Sequence, residues 1–172
     1  MGIGVQQDFV ESVKWYRKAA NQGHIDAQLT LGLRYEHGDG VPQDYEIAAR
    51  WYFKAAEQGQ DEAQSNLGSL YSQGKGVPQD YVEAARWMGK SAEQGRARAQ
   101  ALLGSMYLDG NGVPQDHVLG HMWLNLAAAQ GTKEAADLRD ALVKLMTPAD
   151  ISKAQRMARE WLAEHERKKN AK

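Results

Sequence analysis

The sequence predicts an all-α chain of stacked helix pairs. Three observations carry that reading: a 36-residue period, helical apolar spacing inside each period, and glycine and proline at the joints. Trp15, Trp51, Trp87 and Trp123 each stand 36 residues apart. Asp8, Asp44, Asp80 and Asp116 keep that register, as do the Gln-Gly pairs ending in Gly23, Gly59, Gly95 and Gly131 and the alanines Ala27, Ala63, Ala99 and Ala135. One repeat domain over residues 1–172 follows, with units at about 8–43, 44–79, 80–115 and 116–146 and a final helix at about 148–167.

The chain opens in the middle of this pattern. Gly2, Ile3, Gly4, Val5, Gln6, Gln7 and Asp8 align with Gly74, Lys75, Gly76, Val77, Pro78, Gln79 and Asp80, so residues 1–7 read as the loop closing a preceding unit. The expectation is the C-terminal part of a longer array, whose uncapped first repeat leaves apolar surface open to self-association. In the first unit Asp8 reads as a helix N-cap followed by Glu11, and Asp80 with Glu83 repeats the motif in the third, an aspartate version of the capping box.

The second unit shows the two-helix plan most clearly. From Asp44, whose carboxylate suits an N-cap, apolar residues fall at Tyr45, Ala48, Ala49, Tyr52, Ala55 and Ala56, one helical stripe. Gly59 ends that helix. A second helix places Ala63, Leu67, Leu70 and Tyr71 on one side, with Gly68 allowing close approach, and the Gly74 to Pro78 loop leads onward. A lone pair of this kind leaves one apolar face uncovered, so stability comes from stacking. In the fourth unit Arg139 and Asp140 replace Leu-Gly and Val143 replaces Tyr; Thr147 and Pro148 then open a capping helix through Ile151, Ala154, Met157, Ala158, Trp161 and Leu162.

Composition narrows the function classes. With 42% apolar and 25% charged residues and a formal charge of −1, the chain has no clustered excess of Lys and Arg to neutralise phosphates, so no nucleic-acid partner is expected. The basic Arg167, Lys168 and Lys169 read as a solvated, fraying tail. No apolar run nears the ~18 residues of a membrane span, so no membrane insertion is expected, and Met1 to Phe9 lack signal-peptide character. The absence of cysteine excludes disulfides and a thiolate nucleophile; it fits the cytoplasm, or the periplasm or a secreted state after removal of an upstream signal peptide.

The strings Gly-x-Gly-Val-Pro-Gln-Asp-Tyr, Ala-Ala-Arg-Trp, Ala-Ala-Glu-Gln-Gly and Ala-Gln-x-x-Leu-Gly-x-x-Tyr resemble the Sel-1-like repeat, a relative of the tetratricopeptide repeat. The resemblance covers nearly the whole chain. It implies a right-handed α/α superhelical solenoid used as a protein-binding adaptor, in a bacterial source, and it implies no reaction. Some secreted, cysteine-rich relatives are linked to β-lactam or cell-wall ligands; with no cysteine this chain departs from that branch.

Candidate chemistry reduces to scaffold. His117 and His121 have the i, i+4 spacing of zinc ligands, but they replace Tyr45 and Ala49 of the repeat, so no metal and no other cofactor is expected. His24, His37 and His165 fall in turns or the tail and read as solvated. Glycine-rich loops such as Gly38-Asp39-Gly40 recur at every joint and read as turn chemistry, not phosphate cradles. The periodic tryptophans read as packing elements, and Gly89 as an exposed helix position. No catalytic residues emerge.

Positions that vary between units without breaking the pattern are free to read a partner. By analogy with the inner helix of a tetratricopeptide repeat, the concave-face set is Leu29, Leu33 and Glu36, then Glu62, Ser65, Ser69 and Ser72, then Arg98, Ala101, Ser105 and Leu108. The expected function is a non-catalytic scaffold that binds a protein or peptide there. The alternatives are a binder of a small or cell-wall-derived ligand, and a structural segment of a longer array.

Overall fold

The computed structural model describes the backbone of residues 3–171 and the side chains of 11–171. Nine α-helices and one 3-10 turn form in these residues, and no strand is present among them. The helices are α1 (Ile3–Asn21), α2 (Ile25–His37), α3 (Tyr45–Glu57), α4 (Asp61–Gln73), α5 (Tyr81–Glu93), α6 (Ala97–Asp109), α7 (His117–Ala129), α8 (Lys133–Leu142) and α9 (Pro148–Asn170). They fall into two compact units, residues 1–80 and 81–172.

In the first unit α1 packs on α2, α2 on α3 and α3 on α4, with α2 also touching α4. The α3 stripe read from the sequence is the core: Ala48, Tyr52 and Ala55 are fully buried, together with Leu31, Ala63, Leu67 and Leu70 from the flanking helices. Asp44 caps α3, its side chain accepting from the Ile47 N–H at 2.9 Å. Gln60 does the same for α4, accepting from the Ala63 N–H at 2.9 Å.

The second unit repeats this plan. α5 packs on α6, α6 on α7 and α7 on α8, and α9 lies against α7. Asp116 caps α7 by accepting from the N–H groups of Val118 (2.8 Å) and Leu119 (2.9 Å). Thr147 caps α9, its hydroxyl oxygen accepting from the Asp150 N–H at 3.2 Å, with Pro148 in the first turn. Ala154 and Ala158 bury against the unit. The basic residues 167–169 are exposed and continue α9 to Asn170, where three cations lie favourably at a helix C-terminus.

Two recurrent polar devices set the spacing of the helices. In the joint, the side-chain amides of Gln43, Gln79 and Gln115 donate back to the carbonyls of Glu36 (2.7 Å), Ser72 (2.8 Å) and Leu108 (2.6 Å). The N–H groups of Asp44, Asp80 and Asp116 donate to the carbonyls of Tyr35, Tyr71 and Tyr107 at 2.8 to 3.0 Å. Between helices, the buried amides of Gln28, Gln64 and Gln100 donate to the carbonyls of Ala20, Ala56 and Ala92 at 3.1, 3.0 and 3.2 Å. Gln58 then donates to the Gln28 side-chain oxygen (2.7 Å) and Gln130 to that of Gln100 (2.8 Å), so one unit's Gln-Gly turn is bonded to the Ala-Gln helix of the unit before.

The loop glycine is required by proximity. At Gly76, with φ of +68°, a Cβ would lie 2.2 Å from the Tyr45 carbonyl oxygen, and at Gly112 it would lie 1.9 Å from that of Tyr81.

Two expectations are corrected here. Helix α1 already runs from Ile3, so residues 3–7 are helix and not loop, and Asp8 lies inside α1 instead of capping it. The reason is Gln6, which stands where Pro42, Pro78 and Pro114 interrupt the backbone at the other joints; without a proline the helix continues. Gly2, the first residue of that alignment, lies outside the described residues, as does Met1. The tryptophans also do not all pack. Trp87 and Trp123 are buried, Trp51 is half-buried, and Trp15 is 63% exposed, with the Lys18 ammonium 4.7 Å from its ring centroid.

Candidate functional site

The expected partner-reading residues sit on the second helix of each pair, and each unit is best taken separately. In the first unit α2 presents Leu29, Leu33 and Glu36, all half-buried, at i, i+4 and i+7 along one stripe. α4 adds half-buried Glu62 and Ser72. Ser65 and Ser69 are 0% and 8% exposed, which removes them from the contact surface. Their smallness serves packing, as in the unbroken buried run from Ala63 to Leu70. The Ser72 hydroxyl donates to the Ser69 carbonyl at 2.9 Å, a local bond within α4.

Glu36 has a structural partner as well as a surface position. Its carboxylate accepts from the Tyr52 hydroxyl, the polar end of a ring that is otherwise fully buried. Burial holds the Tyr52 hydroxyl far above the ordinary tyrosine range; the bond to Glu36 and that carboxylate's charge act in the same direction, as does Glu62, while a bond from Asn66 opposes them. The α2 stripe therefore couples two leucines to an acidic end fixed from below.

In the second unit α6 presents half-buried Ala101, Ser105 and Leu108 and exposed Arg98. Leu108 also works inward: its Cδ1 would stand 2.3 Å from a Cβ at Gly120, and it packs against the cluster of Leu124, Ala127, Ala135 and Leu142. The α6 face thus carries Ala101 and Ser105 where α2 has Leu29 and Leu33, and Arg98 where the first unit has Asp26 and Glu62.

Elsewhere the titratable groups read as structure. His121, in a register held by alanine in α3 and α5, is buried, and its Nδ1 has no hydrogen-bond partner among the described residues. Burial lowers its pKa below 6.5, the Arg139 charge adds to this, and Asp140 works against it. His117 is half-buried at the start of α7, and no group of three or more His, Cys, Asp or Glu poised for a metal occurs among the described residues. His165 departs from the solvated reading: it is half-buried and stacks on Trp161 with centroids 4.6 Å apart, and Trp161 in turn meets Trp123 edge-on at 5.9 Å. That stack fastens α9. His24 and His37 are exposed.

Each unit carries an open cleft. One of about 300 Å³ is lined by Glu93, Trp161, Glu164, His165 and Lys168. A mainly apolar one of about 480 Å³ in the first unit is lined by α3, α4 and the loop after them, including Phe53, Leu67, Tyr71 and Val77. No helix among the described residues is long and apolar enough to cross a membrane.

The Sel1 repeat model matches residues 1–24, 25–60, 61–95 and 97–132. Its units start at α2, α4 and α6, half a unit out of phase with the pairing used above. Among solved structures the chain is similar to c5321, a protective antigen of uropathogenic Escherichia coli strains displaying an SLR fold, at 44% identity and a TM-score of 0.72. That match covers 74% of this chain and 27% of the antigen, so the chain corresponds to a small part of that protein. It is also similar to a Sel1 repeat protein from Oxalobacter formigenes, at 37% identity and a TM-score of 0.69, covering 76% of this chain and 98% of that one. Comparison with curated proteins gave no match. These likenesses make the fold class an all-α solenoid of helical repeats, and the family is in general one of non-catalytic protein-interaction scaffolds. With four repeat matches spanning most of its length, the chain belongs to the Sel1 repeat family.

Proposed function

We propose that this chain is a non-catalytic scaffold that binds a protein segment along the second helices of its repeats. The observation that carries the reading is the α2 stripe, where half-exposed Leu29 and Leu33 run up to a carboxylate, Glu36, that is fixed by Tyr52. Apolar anchors beside a held charge suit an amphipathic helix or extended peptide whose apolar residues are followed by a basic one. Arg98, Ala101, Ser105 and Leu108 supply a second contact surface, of opposite charge and smaller relief.

The test is affinity capture from a bacterial lysate with wild type beside a Leu29→Asp, Leu33→Asp variant, whose fold is checked by circular dichroism and thermal unfolding. Retention of a partner by wild type and its loss from the folded variant supports the reading. Equal sets of bound proteins would refute this face as the binding surface.

A second reading, a small apolar ligand, is favoured by the cleft of about 480 Å³ lined by Phe53, Leu67, Tyr71 and Val77. A Phe53→Asp variant separates the two. Loss of small-ligand binding with protein capture intact would favour the cleft.

A further inference from the structure

We propose that the cleft formed by α3, α4 and the loop after them takes an amphipathic carboxylate, a free small molecule with an aliphatic body and an anionic head. This rests on the second reading of the function and adds the chemistry of the ligand. It is independent of protein binding at α2 and α6.

The same place differs from one helix pair to the next. At the 36-residue period Phe53 corresponds to Arg17, Gly89 and Asn125, and Tyr71 to Tyr35, Tyr107 and Val143. In the pair α1 and α2, the Arg17 guanidinium donates to the Tyr35 hydroxyl, so a side chain with an aliphatic stem and a polar head closes over that tyrosine. In the pair α7 and α8, Arg139, at the register of Leu67, donates to Asn125 at 3.1 Å. In α5 the register holds Gly89, with nothing within 4 Å of a Cβ built there, so no wall stands at this point. Only α3 carries an apolar side chain in this register.

Phe53 has no group to donate, and the Tyr71 hydroxyl makes no hydrogen bond among the described residues. The place that Arg17 closes in the first pair is therefore open in the second, as the cleft of about 480 Å³ walled by Phe53, Leu67, Tyr71 and Val77. That volume falls within the range of small-molecule sites. Phe53 is 40% exposed, a large ring held at the edge of the cleft.

The charges around it select the head of the ligand. Glu46, Arg50 and Lys54 also line the cleft, and Glu46 and Arg50 are paired with each other. The Lys54 ammonium lies 4.4 Å from the centroid of the Trp51 ring and makes no ion pair among the described residues. One uncompensated cation and one hydroxyl donor thus stand beside apolar walls. Their complement is an anion on an aliphatic stem, the shape of Arg17 with the charge of its head reversed.

The probes are octanoate and octanol, which share an aliphatic chain and differ in the head. Each is titrated into the whole chain near neutral pH, and binding is followed by backbone amide shifts in nuclear magnetic resonance. Octanoate binds on the order of tenfold more tightly than octanol, with shifts centred on Phe53, Leu67 and Val77. Lys54→Met weakens octanoate by roughly fivefold and leaves octanol unchanged. Phe53→Asn, which introduces the residue of α7 at an exposed position, weakens both probes alike by on the order of tenfold. Equal affinity for the two probes at the cleft, or octanoate binding indifferent to Lys54→Met, overturns the selection of an anion while leaving the cleft a small-ligand site. Shifts with neither probe, or shifts elsewhere on the chain, overturn both.

Discussion

The ring of Tyr52 lies where a side chain on residue 32 would begin, 2.4 Å from the position of a Cβ on Gly32. The ring is fully buried and held at its hydroxyl by Glu36, so it has no room to yield. Gly32→Ala is expected to cost about 1–3 kcal/mol, the range for overpacking a tight core. Gly104→Ala is expected to cost less, because the nearest atom to its Cβ position, the Leu124 Cγ, stands 2.8 Å away, against 2.4 Å for the ring at Gly32. Chemical denaturation of both variants checks the order.

The opposite sign is expected at Gly89. It lies within α5, with nothing within 4 Å of a Cβ built there. Gly89→Ala should stabilise the chain by roughly 0.5–1 kcal/mol, the helix-propensity difference. A lower denaturation midpoint would show that the glycine is there for close packing.

The amide ladder makes a third prediction. Gln100 is fully buried, donates to Ala92 and accepts from Gln130. Gln100→Ala removes both bonds, leaving the Ala92 carbonyl with the Gly95 N–H and the Gln130 amide with the Gly95 carbonyl, and should cost about 1–3 kcal/mol. Gln130→Ala, at an exposed residue, should cost less. Equal effects would mean that the ladder is not what fixes the helix spacing.

His121 gives a pH dependence of defined sign. Its folded pKa lies below 6.5, so as pH falls through 6.5 the unfolded chain takes up a proton that the folded chain resists. Stability is therefore full above that value and declines below it. His121→Ala, which restores the residue of Ala49 and Ala85, should flatten the change in denaturation midpoint between about pH 7.5 and 5.5. An unchanged slope would place the titration elsewhere.

What the sequence disclosed was local or periodic. Asp44 and Asp116 as caps, Thr147 and Pro148 opening α9, and the Tyr45 to Ala56 stripe each depend on neighbours within a few turns. The amide ladder was hidden because Gln58 and Gln28 are 30 residues apart, and their pairing exists only once helices stack. Trp15 and Trp123 share a register, but only Trp123 is met by Trp161, so period alone does not tell packing from exposure. The contact set was drawn from analogy with a related repeat, and Ser65 and Ser69 failed it because α4 is buried on more sides than one stripe. The early start of α1 was legible in Gln6, the one residue that breaks the proline register.

The proposed binding places a protein partner on the second helices of the repeats. Hydrogen exchange of this chain with and without a captured partner measures that directly. Binding there slows exchange in α2 and α6, most strongly around Leu29 and Leu33, with little change in α3 around Arg50 and Phe53. Protection confined to α3, or no protection in α2, would contradict it.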